Sequence, residues 1–117
     1  MVPVSGVERV SDVGAWAVVS LFGDVDVHLV ARVREVVNEL VGEDRVHLVW
    51  EMKGVSFMDS AGLGVLVHTM QAVEAREGSV RLAEPSGQVL RLLELTGIDE
   101  VIECYPDVAS AAGRSAR

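Results

Sequence analysis

The chain has one cysteine, Cys104, among its 117 residues. An internal disulfide is excluded, no thiolate cluster can gather around a metal, and a reducing, intracellular setting is the expectation. Basic residues are also scarce, 10 Lys and Arg against 18 Asp and Glu for a net charge of −8, and they are scattered rather than clustered. That distribution lacks the electrostatic footprint of nucleic-acid binding, so no nucleic acid is expected as partner. Charge of this size otherwise reports solubility. Long apolar runs are missing as well. Ala15 to Phe22, broken by Ser20, falls far short of the roughly 20 residues a membrane helix needs. Met1 to Gly6 has no basic region followed by an apolar core, so it does not read as a secretory signal. A soluble, cytoplasmic chain without a membrane partner is the expectation.

Half of the residues are apolar, enough for one core in a chain of single-domain size. Ala15 to Phe22 is short, β-branched and aromatic, which predicts a strand buried on both faces and stopping at Gly23-Asp24. Leu29, Val30, Val33, Val36, Val37, Leu40 and Val41 then fall at helical spacing up to Gly42. Val46 to Trp50 reads as a second buried strand, and Leu63, Leu66, Val67, Met70 and Val73 as a second amphipathic helix ending before Gly78. Ser79 to Ala83 continues as a strand, Pro85-Ser86 opens a third helix through Leu95, and Thr96 to Asp99 reads as its closing turn. Edge strands are expected at Val4 to Val10 and at Val101 to Glu103, with a weak last helix from Asp107 to Ala112. Alternating strands and helices predict an α/β fold, one domain over residues 1–112 with a flexible tail over 113–117.

The stretch with chemical content is Ser56-Phe57-Met58-Asp59-Ser60-Ala61-Gly62-Leu63-Gly64-Val65-Leu66, where a strand-like run passes through small residues into an apolar helix. It puts the Ser60 hydroxyl at a helix mouth, where Ser60 or Asp59 is suited to cap the free N–H groups. The small neighbours Ala61, Gly62 and Gly64 also leave that hydroxyl open to another enzyme. Catalysis by Ser60 itself is a poor fit, because Met58 stands where a Gly-x-Ser-x-Gly elbow has its first glycine. Gly62-Leu63-Gly64 lacks the Lys-Ser/Thr of a nucleotide loop. His28, His47 and His68 lie on three different predicted elements, at no spacing typical of zinc. No catalytic residue, metal or cofactor is expected, Trp16 and Trp50 are expected in the core, and Cys104 is expected to pack near the edge strand.

Gly23-Asp24-Val25-Asp26, the run from Val55 to Leu66, and Leu95-Thr96-Gly97-Ile98 together resemble, in order and spacing, the bacterial anti-sigma-factor antagonists of the STAS domain class. The central run is the specific motif, and the outer two add weight by their order. The resemblance implies a single domain with four or five strands, in a mostly parallel or mixed sheet, packed with three to four helices. It implies a partner switch rather than an enzyme. The unphosphorylated antagonist would bind an anti-sigma factor that is also a Ser/Thr kinase, freeing the sigma factor. Phosphate on the residue matching Ser60 would end that binding, and a Ser/Thr phosphatase would restore it. Partner contact is then expected from Asp26, Asp59, Ser60, Ala61, Gly62, Leu63 and Gly64.

For Asp26, capping the first helix and contacting the partner stand as equal alternatives. The rival role within the same class is an unphosphorylated scaffold or sensor in a lipid-transport or stress-signalling assembly. The chain departs from the family at two places. Leu29 and Val30 stand where relatives often start the first helix with Ser or Thr, leaving Asp26 as the cap or adding an apolar pair to a contact surface. Ala61 replaces a frequent second Ser or Thr, which confines phosphate to Ser60.

Overall fold

A computed structural model describes residues 5–113. Val4 of the expected first strand and residues 114–117 of the expected tail lie outside them. Five strands form one mixed sheet in the order β1 (Gly6–Arg9), β2 (Ala17–Val25), β3 (His47–Met58), β4 (Ser79–Ala83) and β5 (Glu103–Tyr105). β1 runs antiparallel to β2, and every later pair is parallel. The parallel pairs are joined through α1 (Val27–Gly42), α2 (Ser60–Glu74) and α3 (Gly87–Thr96), and α4 (Val108–Ala112) follows β5.

Each parallel step moves one strand in the same direction. Right-handed crossovers then place α1, α2 and α3 on one face of the sheet. The packing agrees: Leu29, Val33 and Leu40 of α1, Leu63, Leu66 and Val73 of α2, and Val89 and Leu93 of α3 share one core with Val19, Leu48, Trp50 and Leu82 of the strands. The opposite face holds a smaller cluster, Trp16, Val18, Val49 and Ala83 under Ala111 of α4. Neighbouring strand residues such as Val18 and Val19 are thus buried on opposite faces, as the continuous apolar run predicted.

Of the boundaries that differ from the sequence reading, three shape the sheet. β2 does not stop at Gly23-Asp24. Gly23 takes a φ of 75°, open to a residue without Cβ, and the pairing with β3 shifts register on either side of it before the strand resumes to Val25. β3 continues seven residues beyond β4, whose last partner pair is Glu51 with Ala83, and its final stretch alternates buried Met52, Val55 and Met58 with exposed Lys53, Gly54, Ser56 and Phe57. The edge strand is Glu103–Tyr105 rather than 101–103, because Ile102 enters the core from the loop while Val101 points outward.

A buried arginine holds the smaller face. Arg81 of β4 is 4% exposed, with its guanidinium 4.3 Å from the Trp16 ring centroid and 5.5 Å from that of Tyr105. Its Nη1 donates to the Ala111 carbonyl at 2.8 Å and its Nε to Glu103 at 3.2 Å, so one side chain ties β4, β5 and α4 together. A cation is tolerated there because both its charge and its donors are answered. Arg81→Met keeps the apolar stem and removes those bonds. It is expected to cost about 2 kcal/mol in urea unfolding and to expose α4 to proteolysis ahead of the rest of the domain.

Candidate functional site

The carboxyl ends of β2 and β3 are side by side, since Val25 and Met58 are register partners. Each strand ends in an aspartate that starts a helix. Asp26 accepts from the His28 amide at 3.0 Å and caps α1. Asp59 does the same for α2, its Oδ1 accepting from the Ala61 amide at 2.9 Å and the Gly62 amide at 3.1 Å. The Asp59 amide reaches the Val25 carbonyl at 3.4 Å, joining the two turns. Two helix N-termini, each with its partial positive charge, therefore open on one rim of the sheet.

With Asp59 as the cap, Ser60 is left as the first residue of α2. It is exposed, and its hydroxyl makes no hydrogen bond to any described residue. For Asp26 the geometry supplies the capping role through one oxygen. The side chain stays half-buried on the same rim.

The expected contact residues divide by helical phase. Ser60 and Gly64, four apart, lie outward, and Ala61 is half-buried beside them. Gly62 and Leu63, expected on the contact surface, are turned inward. Leu63 packs in the main core, and Gly62 lies so close to β2 that an added Cβ would sit 2.3 Å from the Val25 carbonyl oxygen. Nothing lies within 4 Å of a Cβ built on Gly64. The apolar pair Leu29 and Val30 is not the exposed one either. Leu29 is buried, Val30 is half-buried, and the apolar surface near the rim is instead Val27, 66% exposed, and Phe57, 46% exposed.

A third contributor was not legible in the sequence. Gln88, in the first turn of α3, accepts from the Met58 amide at 3.0 Å and donates to the Met58 carbonyl at 2.7 Å. A single carboxamide thus satisfies both backbone groups of the last residue of β3, on a stretch that β4 no longer reaches.

The three histidines lie on three different elements. His47 is within hydrogen-bond distance of the Ser79 hydroxyl, 3.0 Å from its Oγ, and meets Trp16 edge-on, while His28 and His68 are exposed on α1 and α2. Among the described residues no three His, Cys, Asp or Glu side chains gather as metal ligands. No helix among them is long and apolar enough to cross a membrane. Cys104 lies exposed on β5, and its thiol is pushed up from its ordinary value by partial desolvation and by nearby Asp99.

The model of the STAS domain matches residues 6–111, almost the whole chain. The chain belongs to the STAS domain family. Among curated relatives, this STAS domain is 36% identical over 85 residues to the anti-sigma-B factor antagonist of Bacillus subtilis, covering 73% of this chain and 77% of that one. A crystal structure of an anti-sigma factor antagonist from Mycobacterium paratuberculosis superposes with a TM-score of 0.80 at 23% identity over 92% of each chain. The Bacillus cell fate determinant SpoIIAA in its phosphorylated form gives a TM-score of 0.69 at 24% identity, over 85% of this chain and 90% of that one. The mixed five-strand sheet and four helices are thus the fold of a group that contains anti-sigma factor antagonists.

Proposed function

We propose that this STAS domain is an anti-sigma factor antagonist that acts in the cytoplasm and is switched at Ser60. In the unphosphorylated state, the rim formed by Asp26, Asp59, Ser60, Ala61 and Gly64 binds an anti-sigma factor with Ser/Thr kinase activity, and the sigma factor is released. Gly62 and Leu63 shape this surface from beneath. The bound kinase transfers the γ-phosphoryl group of ATP to the Ser60 hydroxyl, whose proton leaves as the new O–P bond forms and ADP departs. The modified domain dissociates, and a Ser/Thr phosphatase hydrolyses the phosphoserine to reset it. The domain supplies no chemistry of its own in this cycle.

The observation that carries this reading is the free, exposed Ser60 hydroxyl on a helix that a neighbouring residue already caps. A serine that served as the cap would have its oxygen engaged by backbone N–H groups, and modifying it would cost about 1 kcal/mol of helix stability. Here the phosphoacceptor and the cap are separate residues. Phosphate of charge about −1.5 to −2 can be added at a helix N-terminus, which favours an anion, while the fold is retained.

The test is incubation of the protein with ATP and each anti-sigma kinase of its own genome, followed by mapping of phosphate by mass spectrometry. One kinase is expected to modify Ser60 alone. Modification at another residue, or by none of the kinases, overturns the proposal.

A further inference from the structure

We propose that Gln88 is a positioning residue for the switch: its carboxamide fixes the end of β3 and thereby sets how Ser60 is presented to the kinase. The inference rests on reading Ser60 as the phosphoacceptor. Ser60 is two residues beyond Met58, and the peptide groups between them contain no other tie to α3 or β4 among the hydrogen bonds of the described residues. On the β2 side the turn is held by the 3.4 Å bond from the Asp59 amide to the Val25 carbonyl, long for an N–H···O bond. On the other side the strand partner has ended at Ala83, so Gln88 stands in for a neighbouring strand.

The side chain is specific for this task. It must donate to a carbonyl and accept from an amide at the same residue, which a neutral amide of this length does and a carboxylate or an aliphatic chain does not. Gln88 is itself placed by α3, where Ser86 caps the helix through the Val89 amide at 3.2 Å and Val89 and Leu93 are buried in the main core. The rigid helix therefore transmits its position to the Asp59-Ser60 turn. Without the clamp, the turn samples several orientations. Only the fraction in the competent one is recognised, and apparent affinity falls by that fraction.

Gln88→Leu removes both bonds at similar size, and Gln88→Glu keeps the acceptor while setting a carboxylate against the Met58 carbonyl. At pH 7.5 both are expected to raise the KM for phosphorylation of this protein by its kinase about tenfold, with kcat close to that of the parent. A clamp that only stabilised the fold would leave KM unchanged at a temperature where both variants are fully folded. Hydrogen exchange supplies a readout without the kinase: the Ala61 and Gly62 amides, held by Asp59, are expected to exchange faster in both variants, with the buried strand amides of β2 unchanged. Parent KM in folded variants overturns the inference and leaves the switch standing. Should the parent protein take no phosphate on Ser60, the function falls and the presentation to a kinase falls with it, while exchange at Ala61 and Gly62 still reports whether Gln88 fixes the turn. Unchanged protection at Ala61 and Gly62 in Gln88→Leu then removes the positioning role as well.

Discussion

Gly62→Ala is expected to lower the stability of the domain by about 3 kcal/mol in urea unfolding, near the upper end of overpacking costs. The added Cβ would lie 2.3 Å from the Val25 carbonyl oxygen, 2.8 Å from Met58 Cγ and 2.9 Å from Val25 Cγ1. A flexible side chain can yield to such a contact, but a strand carbonyl in the core cannot. Relief requires the first turn of α2 to lift from β2. That movement strains the Asp59 cap and shifts Ser60, so phosphorylation should suffer along with stability.

Gly64→Ala is the control, two residues further along the same helix. Its Cβ meets nothing within 4 Å, and alanine is better than glycine in a helix interior by about 1 kcal/mol. That variant is expected to unfold at higher urea than the parent. Equal stability for the two alanine variants would mean that α2 is not seated against Val25 as described. The pair separates two glycines that look alike in the sequence: Gly62 allows close packing, and Gly64 leaves the surface beside Ser60 bare.

The apolar runs of β2 and the first half of β3 announced the sheet, since strands covered on both faces admit few polar residues. The second half of β3 did not. Lys53, Gly54 and Ser56 interrupt it because β4 has ended and one side of that stretch faces solvent. Nothing in the strand pattern of Ser79–Ala83 marked Arg81 as buried. Its burial depends on α4, a helix of five residues with a weak pattern, and on Trp16 lying before β2. The helix mouth at Ser60 was legible as a motif. Its cap was not, because Asp59 and Ser60 are both good capping residues one position apart, and only backbone geometry decides between them. Gln88 is invisible to any local pattern, since its partner Met58 is thirty residues away.

Ser60→Asp is expected to weaken binding to the anti-sigma factor at least a hundredfold while the domain melts within a few degrees of the parent. The two effects separate because the carboxylate meets different surroundings in the free and bound states. In the free protein it projects from the N-terminus of α2 into water, where the helix favours an anion by about 0.3–1 kcal/mol. Repulsion from Asp59 works against this, but two unit charges about 6 Å apart in water interact by only about 0.7 kcal/mol. In the complex the same group must shed its hydration at a fitted surface. An unpaired buried charge costs several kcal/mol, so desolvation decides the outcome. Salt distinguishes the causes. Raising ionic strength from about 0.05 to 0.5 M would restore most of the binding if repulsion were responsible, and is expected to restore little of it. Ser60→Ala removes a hydroxyl that bonds to no described residue, so it should bind within about threefold of the parent and resist inactivation by the kinase. Equal binding by the aspartate and alanine variants would show that the switch lies elsewhere on the domain.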